Sequence, residues 1–169
     1  MTSYSLDLAA QRNGRPSAIT EAVTRGTRRL LWKLDYSTVT ELPLRSGRRA
    51  DIVALSPKGL ILIIEVKSSV ADFRADLKWP EYRAHCDQLF FAIPESVPVE
   101  ILPADTGLIR ANAYGGEILR QACEHRLAGA TRRAMFLRFA HAAAQRLHRL
   151  NDHGVESRDV IEPGGLFTY

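Results

Sequence analysis

Hydrophobic residues first recur with a clear period at Ile19, Val23, Gly26, Leu30 and Leu34, the spacing of one face of an α-helix. Pro16-Ser17 precedes that stretch and supplies a start signal, with Ser17 as the N-cap. Gly26 falls on the buried side, where a missing side chain lets a helix lie close to a sheet. The period then changes. Ser37–Leu44, Arg49–Leu55 and Gly59–Lys67 read as three strands, joined by Arg45-Ser46-Gly47-Arg48 and Ser56-Pro57-Lys58-Gly59, both of hairpin composition. In the third run Leu60 to Ile64 are all apolar, the pattern of a central strand covered on both faces.

Ser69 is placed to cap a short helix through Phe73 and Leu77, which Trp79-Pro80 interrupts. Pro80-Glu81 opens a second short helix to about Asp87. Gln88–Ile93 reads as a strand, and a proline-spaced loop follows it. Gly107–Ala111 and Glu117–Leu119 read as edge-like strands around Tyr114-Gly115-Gly116. From Gly129 to Leu150 the pattern is helical, with Ala134, Leu137, Ala140, Ala144 and Leu147 on the apolar face and Asn151 to Gly154 as the stop. The expected organisation is a flexible N-terminal tail (1–15), one domain (16–154) and a C-terminal segment (155–169), the domain being α/β with a mixed central sheet.

Composition adds limits. No apolar stretch is long enough to span a membrane, and the N-terminus lacks the basic-then-apolar layout of a secretory signal, so a cytoplasmic protein is expected. Cys86 and Cys123 stand in unrelated contexts and read as buried or half-buried thiols rather than a disulfide or metal-finger pair. None of the five histidines has ligand spacing. The net charge of +4 suits an anionic partner. Arginine greatly outnumbers lysine, which occurs only at 33, 58, 67 and 78, so Lys67 is notable for being a lysine at all.

Strand alternation then sorts the charges. Glu65 and Lys67 share a face with Ile61 and Ile63, and Asp51 shares one with Val53 and Leu55. Charges at the ends of buried apolar strands are costly unless they bind a cation or one another. Two carboxylates and a lysine on adjacent strands can hold Mg²⁺ through oxygen donors and act on a water or a phosphate. A plain salt bridge from Lys67 to Glu65 or Asp51 is the simpler alternative.

Arg49-Ala50-Asp51 followed by Glu65-Val66-Lys67 resembles the PD-(D/E)XK nuclease superfamily, with Ala50 in place of the proline. The resemblance implies a restriction-endonuclease-like core, α-β-β-β-α-β, over roughly residues 17 to 93, with the long C-terminal helix added. Glu41-Leu42-Pro43-Leu44, Asp72-Phe73-Arg74-Ala75-Asp76-Leu77-Lys78-Trp79, Tyr82, Cys86-Asp87 and Phe90-Phe91-Ala92 extend it. With Gly107-Leu108-Ile109 and Arg132-Arg133-Ala134, they make the chain similar to the MmcB family of DNA repair proteins. That likeness implies bacterial DNA repair and a nuclease activity without naming a substrate.

Within this resemblance Asp51, Glu65 and the Val66 carbonyl are the metal-holding set for Mg²⁺ or Mn²⁺, and Lys67 orients or activates water. Glu21 matches the position of an additional metal-site acid, against the alternative of an exposed pair with Arg25. Glu41 is either a further site acid or an exposed strand charge. Lys78 and Tyr82 match a polar pair beside the scissile phosphate, although Pro80 intervenes. Arg45, Arg48 and Arg49, in the hairpin that leads into Asp51, are the foremost DNA contacts, with Arg28-Arg29 and Arg132-Arg133 as further candidates. Asp72 and Asp76 are expected to share a helix face, with Arg74 and Lys78 absorbing their charge. The resulting expectation is a Mg²⁺-dependent DNA endonuclease. The alternatives are a catalytically silent DNA-binding repair accessory and, further off, a protein-interaction domain. Homodimerisation is left open.

Overall fold

A computed structural model describes residues 16–152, so the expected tail, the C-terminal segment and the His153-Gly154 part of the helix stop lie outside it. Helix α1 (Ala18–Lys33) starts where Ser17 accepts the Thr20 N–H, satisfying an amide that has no partner inside the helix. Strands β1 (Ser37–Pro43), β2 (Arg49–Leu55) and β3 (Ile61–Val66) follow as an antiparallel meander. Ser69 caps the one-and-a-half-turn helix α2 (Val70–Ala75), and a 3₁₀ segment (Trp79–His85) leads to β4 (Gln88–Ile93), parallel to β3. Strands β5 (Gly107–Ala111) and β6 (Gly116–Arg120) and helix α3 (Gly129–Asn151) complete the chain. The six strands form one mixed sheet in sequential order. Among the described residues no helix is long and apolar enough to cross a membrane.

β3 is buried at every position because both of its faces are covered. Ile52, Ala54, Leu62, Ile64, Phe90 and Ile109 pack with Val23 and Leu31 of α1. Val53, Ile61, Ile63 and Leu89 pack on the other side with Tyr82 and with Met135 and Phe139 of α3.

Three expectations are corrected here. On α1 the buried stripe is Val23, Gly26, Thr27 and Leu31, while Ile19 and Leu34 are exposed. Ile19 lies in the first turn and Leu34 caps the helix beyond Lys33, so both belong to its ends rather than to its packed middle. On α3 the sheet receives Met135 and Phe139, leaving Leu137, Ala140, Ala144 and Leu147 exposed. The bulkier side chains fill the gap above β1 and β2, and this turns the leucines outward. Strand β5 is interior, parallel to β4 and paired to β6, so only β6 is an edge on that side.

Gly26 meets the turn between β5 and β6. A Cβ there would overlap the backbone carbonyl oxygens of Asn112 and Gly115, which cannot swing aside as a flexible side chain does. Gly26→Ala is therefore expected to destabilise by about 1–3 kcal/mol, although alanine alone favours a helix by about 1 kcal/mol. A urea midpoint for the variant equal to or above wild type would contradict that close approach.

An ion pair between buried Asp87 and half-buried Arg132 links α3 to the sheet. Asp87, with no exposed surface, accepts from the amides of Ile61 and Leu127 at 2.9 and 3.0 Å and from both Nη atoms of Arg132 at 2.8 and 2.6 Å. Arg132 also donates to the Gly59 carbonyl at 2.8 Å. Burial alone would raise the Asp87 pKa, but these donors hold it below the ordinary carboxylate range. Arg132 thus has a structural partner.

Candidate active site

The β2–β3 ladder runs from Leu55↔Ile61 to Ile52↔Ile64 and stops there. Asp51 and Glu65 are the next opposed residues, and their side chains bridge the opening in place of backbone pairing. Asp51 Oδ2 accepts the Val66 N–H at 2.8 Å, and Glu65 Oε1 accepts the Asp51 N–H at 3.4 Å. Each carboxylate thereby occupies a backbone donor of the other strand.

Strand β1 is irregular at the same level. Glu41 has φ 49°, in the left-handed region that non-glycine residues enter at a cost, and pairing jumps from Thr40↔Ile52 to Leu42↔Ala50. Alternation slips there, so Val39 and Leu42 face the same α3-side cluster although three residues apart. Ala50 and Val53 do the same on β2. Asp51 consequently lines a groove on the α1 side with Thr38 and Thr40, rather than sharing a face with Val53 and Leu55. Strict period-two reading fails at a kink because one residue in the wrong φ region turns everything beyond it over.

Glu65 and Lys67 are 3% and 5% exposed, and Asp51 is half-buried. Burial, reinforced by the Asp51 charge, pushes the Glu65 carboxyl up to about 8, and burial pushes Asp51 up to about 6. Lys67 moves the other way from a typical buried lysine. Burial alone would lower its pKa, but a hydrogen bond from Nζ to Asp76 Oδ2 at 2.6 Å and the Glu65 charge at 3.9 Å hold it above the ordinary range. Lys67 is therefore a fixed ammonium at neutral pH.

Asp76 is the residue that the sequence pattern misplaced. Helix α2 ends at Ala75, so Asp76 leaves the face it was expected to share with Asp72 and turns its carboxylate to Lys67, held by the Lys78 N–H at 3.0 Å. Asp72 instead accepts from Ser68 N–H and Oγ, locking the turn after β3. Neither acid is hydrogen-bonded or ion-paired to the side chain of Arg74 or Lys78 among the described residues. Trp79-Pro80 marks a break too far along to place Asp76, since a proline disfavours helical backbone only at the residue directly before it.

The remaining candidates surround this centre. Glu21 and Glu41 line the groove with Asp51, and Glu41 is ion-paired to Arg49. Arg48 forms two 2.9 Å hydrogen bonds to Glu81, tying the β1–β2 turn to the 3₁₀ segment. Arg45 is exposed in that turn, and Lys78 is exposed before the 3₁₀ segment. Tyr82 is buried, and its hydroxyl donates to the Arg49 carbonyl at 3.0 Å. It braces β2 from beneath and does not open onto solvent. Cys86 is buried with its thiol pushed up to about 12, whereas Cys123 is exposed, contrary to the expectation of two shielded thiols. Among the described residues no group of three or more Asp, Glu, His or Cys side chains is arranged to hold a metal. Asp51 and Glu65 are the two acids that the opened ladder brings together.

This pair has a signature in metal-free protein. Both folded-state pKa values lie above the unfolded ones, so both acids favour the fold while protonated. As pH rises from about 4 to about 8 the unfolded chain ionises freely and the folded chain does so at a cost, so stability falls through that window. In chelator the melting temperature should drop across this range, and Glu65→Gln should remove most of the drop. A profile for Glu65→Gln superimposable on wild type would contradict the shift.

Comparison with known proteins adds a family. The family model described as DNA repair protein MmcB-like matches residues 8–154. No curated protein matches. A solved structure from Silicibacter pomeroyi, titled as a protein of unknown function, superposes with a TM-score of 0.78 at 43% identity, covering 82% of this chain and 94% of that one.

Proposed function

Because the chain belongs to the MmcB-like family of DNA repair proteins, we propose that it is a divalent-metal-dependent DNA endonuclease of the restriction-endonuclease-like PD-(D/E)XK type. The observation that carries the reading is the opened β2–β3 ladder, which brings Asp51 and Glu65 together beside the buried ammonium of Lys67. A carboxylate pair whose pKa values are raised by burial, that of Glu65 also by the Asp51 charge, is a site that a cation would relieve. The donor chemistry suits Mg²⁺, which prefers hard oxygens, keeps several waters and needs one or two carboxylates from the protein. Asp51, Glu65 and the Val66 carbonyl would hold it. When bound, it neutralises phosphate charge and lowers the pKa of a coordinated water.

The residues divide the remaining work. Lys67, kept protonated by Asp76 and Glu65, is unsuited to take a proton and serves as an electrostatic group. It stabilises the charge that builds on the phosphate oxygens as water attacks phosphorus and the bond to the leaving sugar oxygen breaks. Asp76 positions Lys67, and Tyr82 holds β2 through Arg49. The test is cleavage of a panel of single-stranded, duplex and branched DNA with Mg²⁺ or Mn²⁺ and in chelator. Metal-dependent cutting is expected.

The competing reading, a DNA-binding accessory without turnover, draws on one observation. Among the described residues no third acidic, histidine or cysteine ligand joins Asp51 and Glu65. Protein that binds DNA yet cuts no member of the panel under either metal would favour it.

A further inference from the structure

Helix α1 presents a second stripe that the proposed chemistry does not use. Thr20, Glu21, Thr24, Arg25, Arg28, Arg29, Trp32 and Lys33 recur at helical spacing and all line the groove that Asp51 lines. The acidic end of this stripe lies at the first turn, and the rest carries four cations. None of Arg25, Arg28, Arg29 and Lys33 is in an ion pair among the described residues. Trp32, on the same stripe, is 79% exposed, and Tyr114 across the groove is 85% exposed. Two large exposed aromatics beside cations that form no ion pair make a patch of the kind that marks an interaction surface.

Tyr114 is not on a loose loop. Asn112 Oδ1 accepts from the Tyr114 and Gly115 amides at 2.9 and 3.3 Å, fixing the turn between β5 and β6. Arg29 Nη1 donates to the carbonyls of Ala113 and Tyr114, both at 3.3 Å, and Gly26 lets the turn lie directly on α1. Arg29 therefore positions the platform; Arg28 donates its Nε to Thr38 Oγ1 at 3.2 Å and keeps its Nη atoms, with Arg25 and Lys33, for phosphates. The groove encloses about 800 Å³. From Glu21 to Trp32 the helix rises about 16 Å, which covers several nucleotides at roughly 3.4 Å each.

We infer that this groove binds single-stranded DNA, with unpaired bases stacking on Trp32 and Tyr114 and phosphates on Arg25, Arg28 and Lys33, and that it feeds the strand toward Asp51. The chemistry selects unpaired bases because aromatic faces can stack only on bases that have left a duplex. The cations lie along one helix face and track one backbone. The feeding step rests on the endonuclease reading, whereas the binding does not.

The test reads the two separately. Anisotropy of a fluorescein-labelled single strand, and of the same strand annealed to its complement, is titrated with the full chain in chelator, where no cutting is required. The single strand should bind more tightly than the duplex. Trp32→Ala and Tyr114→Ala should each weaken it roughly 5- to 150-fold, the usual cost of a lost base–aromatic stack. Trp32→Phe should keep most of the affinity. Arg25→Gln and Arg28→Gln should each lower the slope of log affinity against log salt by about 0.7, the value for one phosphate of a single strand. Because Trp32 and Tyr114 are exposed, their alanine variants should melt as wild type does, which confirms that any loss is local.

Duplex binding as tight as single strand, no binding of the single strand, or alanine variants that bind it like wild type would each overturn the inference. Single-strand binding that depends on Trp32 in a protein that cuts nothing would uphold the inference and remove the endonuclease reading. Metal-dependent cutting with no dependence of binding on Trp32 or Tyr114 would do the reverse.

Discussion

Lys67→Ala is expected to lower metal-dependent DNA cleavage by about 10²–10⁴-fold, the usual worth of one preorganised electrostatic or acid–base group. Its ammonium is buried, 2.6 Å from Asp76 and 3.9 Å from Glu65, so its charge acts in a poorly screened setting. DNA affinity should change little, because one phosphate contact among several shifts binding by a small increment. Measured together on one substrate, the rate should collapse while the dissociation constant holds. The variant leaves Asp76 and Glu65 without their cation, so circular dichroism and a melting curve are needed as controls. Asp76→Asn supplies a second reading of the same idea. It keeps the shape beside Lys67 and removes the charge that holds the lysine protonated, so the alkaline limb of the rate profile should move to lower pH. A folded Lys67→Ala protein that cuts at the wild-type rate would show that the lysine has no part in the chemistry.

Asp87→Ala should be the most damaging substitution outside the site, at about 3–5 kcal/mol, the range for removing one partner of a buried ion pair. It strips the Ile61 and Leu127 amides of their acceptor and leaves the half-buried Arg132 guanidinium without its carboxylate. Against a total stability of about 5–15 kcal/mol the loss is severe, equivalent to roughly 6–20 °C in melting temperature for a chain of this size. The Asp87→Ala/Arg132→Ala double variant should cost much less than the two single variants together, since the pair acts as one unit. Denaturant unfolding of all three closes the cycle. Additive losses would mean that the two residues stabilise the fold independently. Because Asp87 immediately precedes β4 and Arg132 lies on α3, the same experiment tests whether α3 is pinned to the sheet from beneath the site.

Local signals were sufficient wherever the chain obeys a single period. Ser17 and Ser69 mark their helices because a hydroxyl at an N-cap satisfies a free amide whatever the rest of the chain does. β2 and β4 begin and end where turn residues, apolar runs and Pro94 punctuate them. The full burial of β3 was legible in an apolar run with no polar alternation. Residue type also narrowed the chemistry, since an acid, a second acid and a rare lysine at the ends of such strands have few inexpensive environments.

Tertiary structure decided everything that depends on where a period breaks or which of two faces wins. Alternation slips on β1 at the left-handed Glu41 and on β2 opposite it, where Asp51 faces the α1-side groove, and no property of either side chain announces that irregularity. The early end of α2 at Ala75 releases Asp76 to the buried ammonium of Lys67, a partner brought there by another strand. The leucine stripe of α3 was as plausible a core face as Met135 and Phe139 until the sheet beneath it selected by shape. The platform of Trp32 and Tyr114 exists only because Gly26 admits a turn from residues far along the chain. Helix period and residue type are properties of neighbours in sequence. Partnership among Asp51, Glu65, Lys67 and Asp76 is set by packing that brings distant segments together, and only the folded chain could specify it.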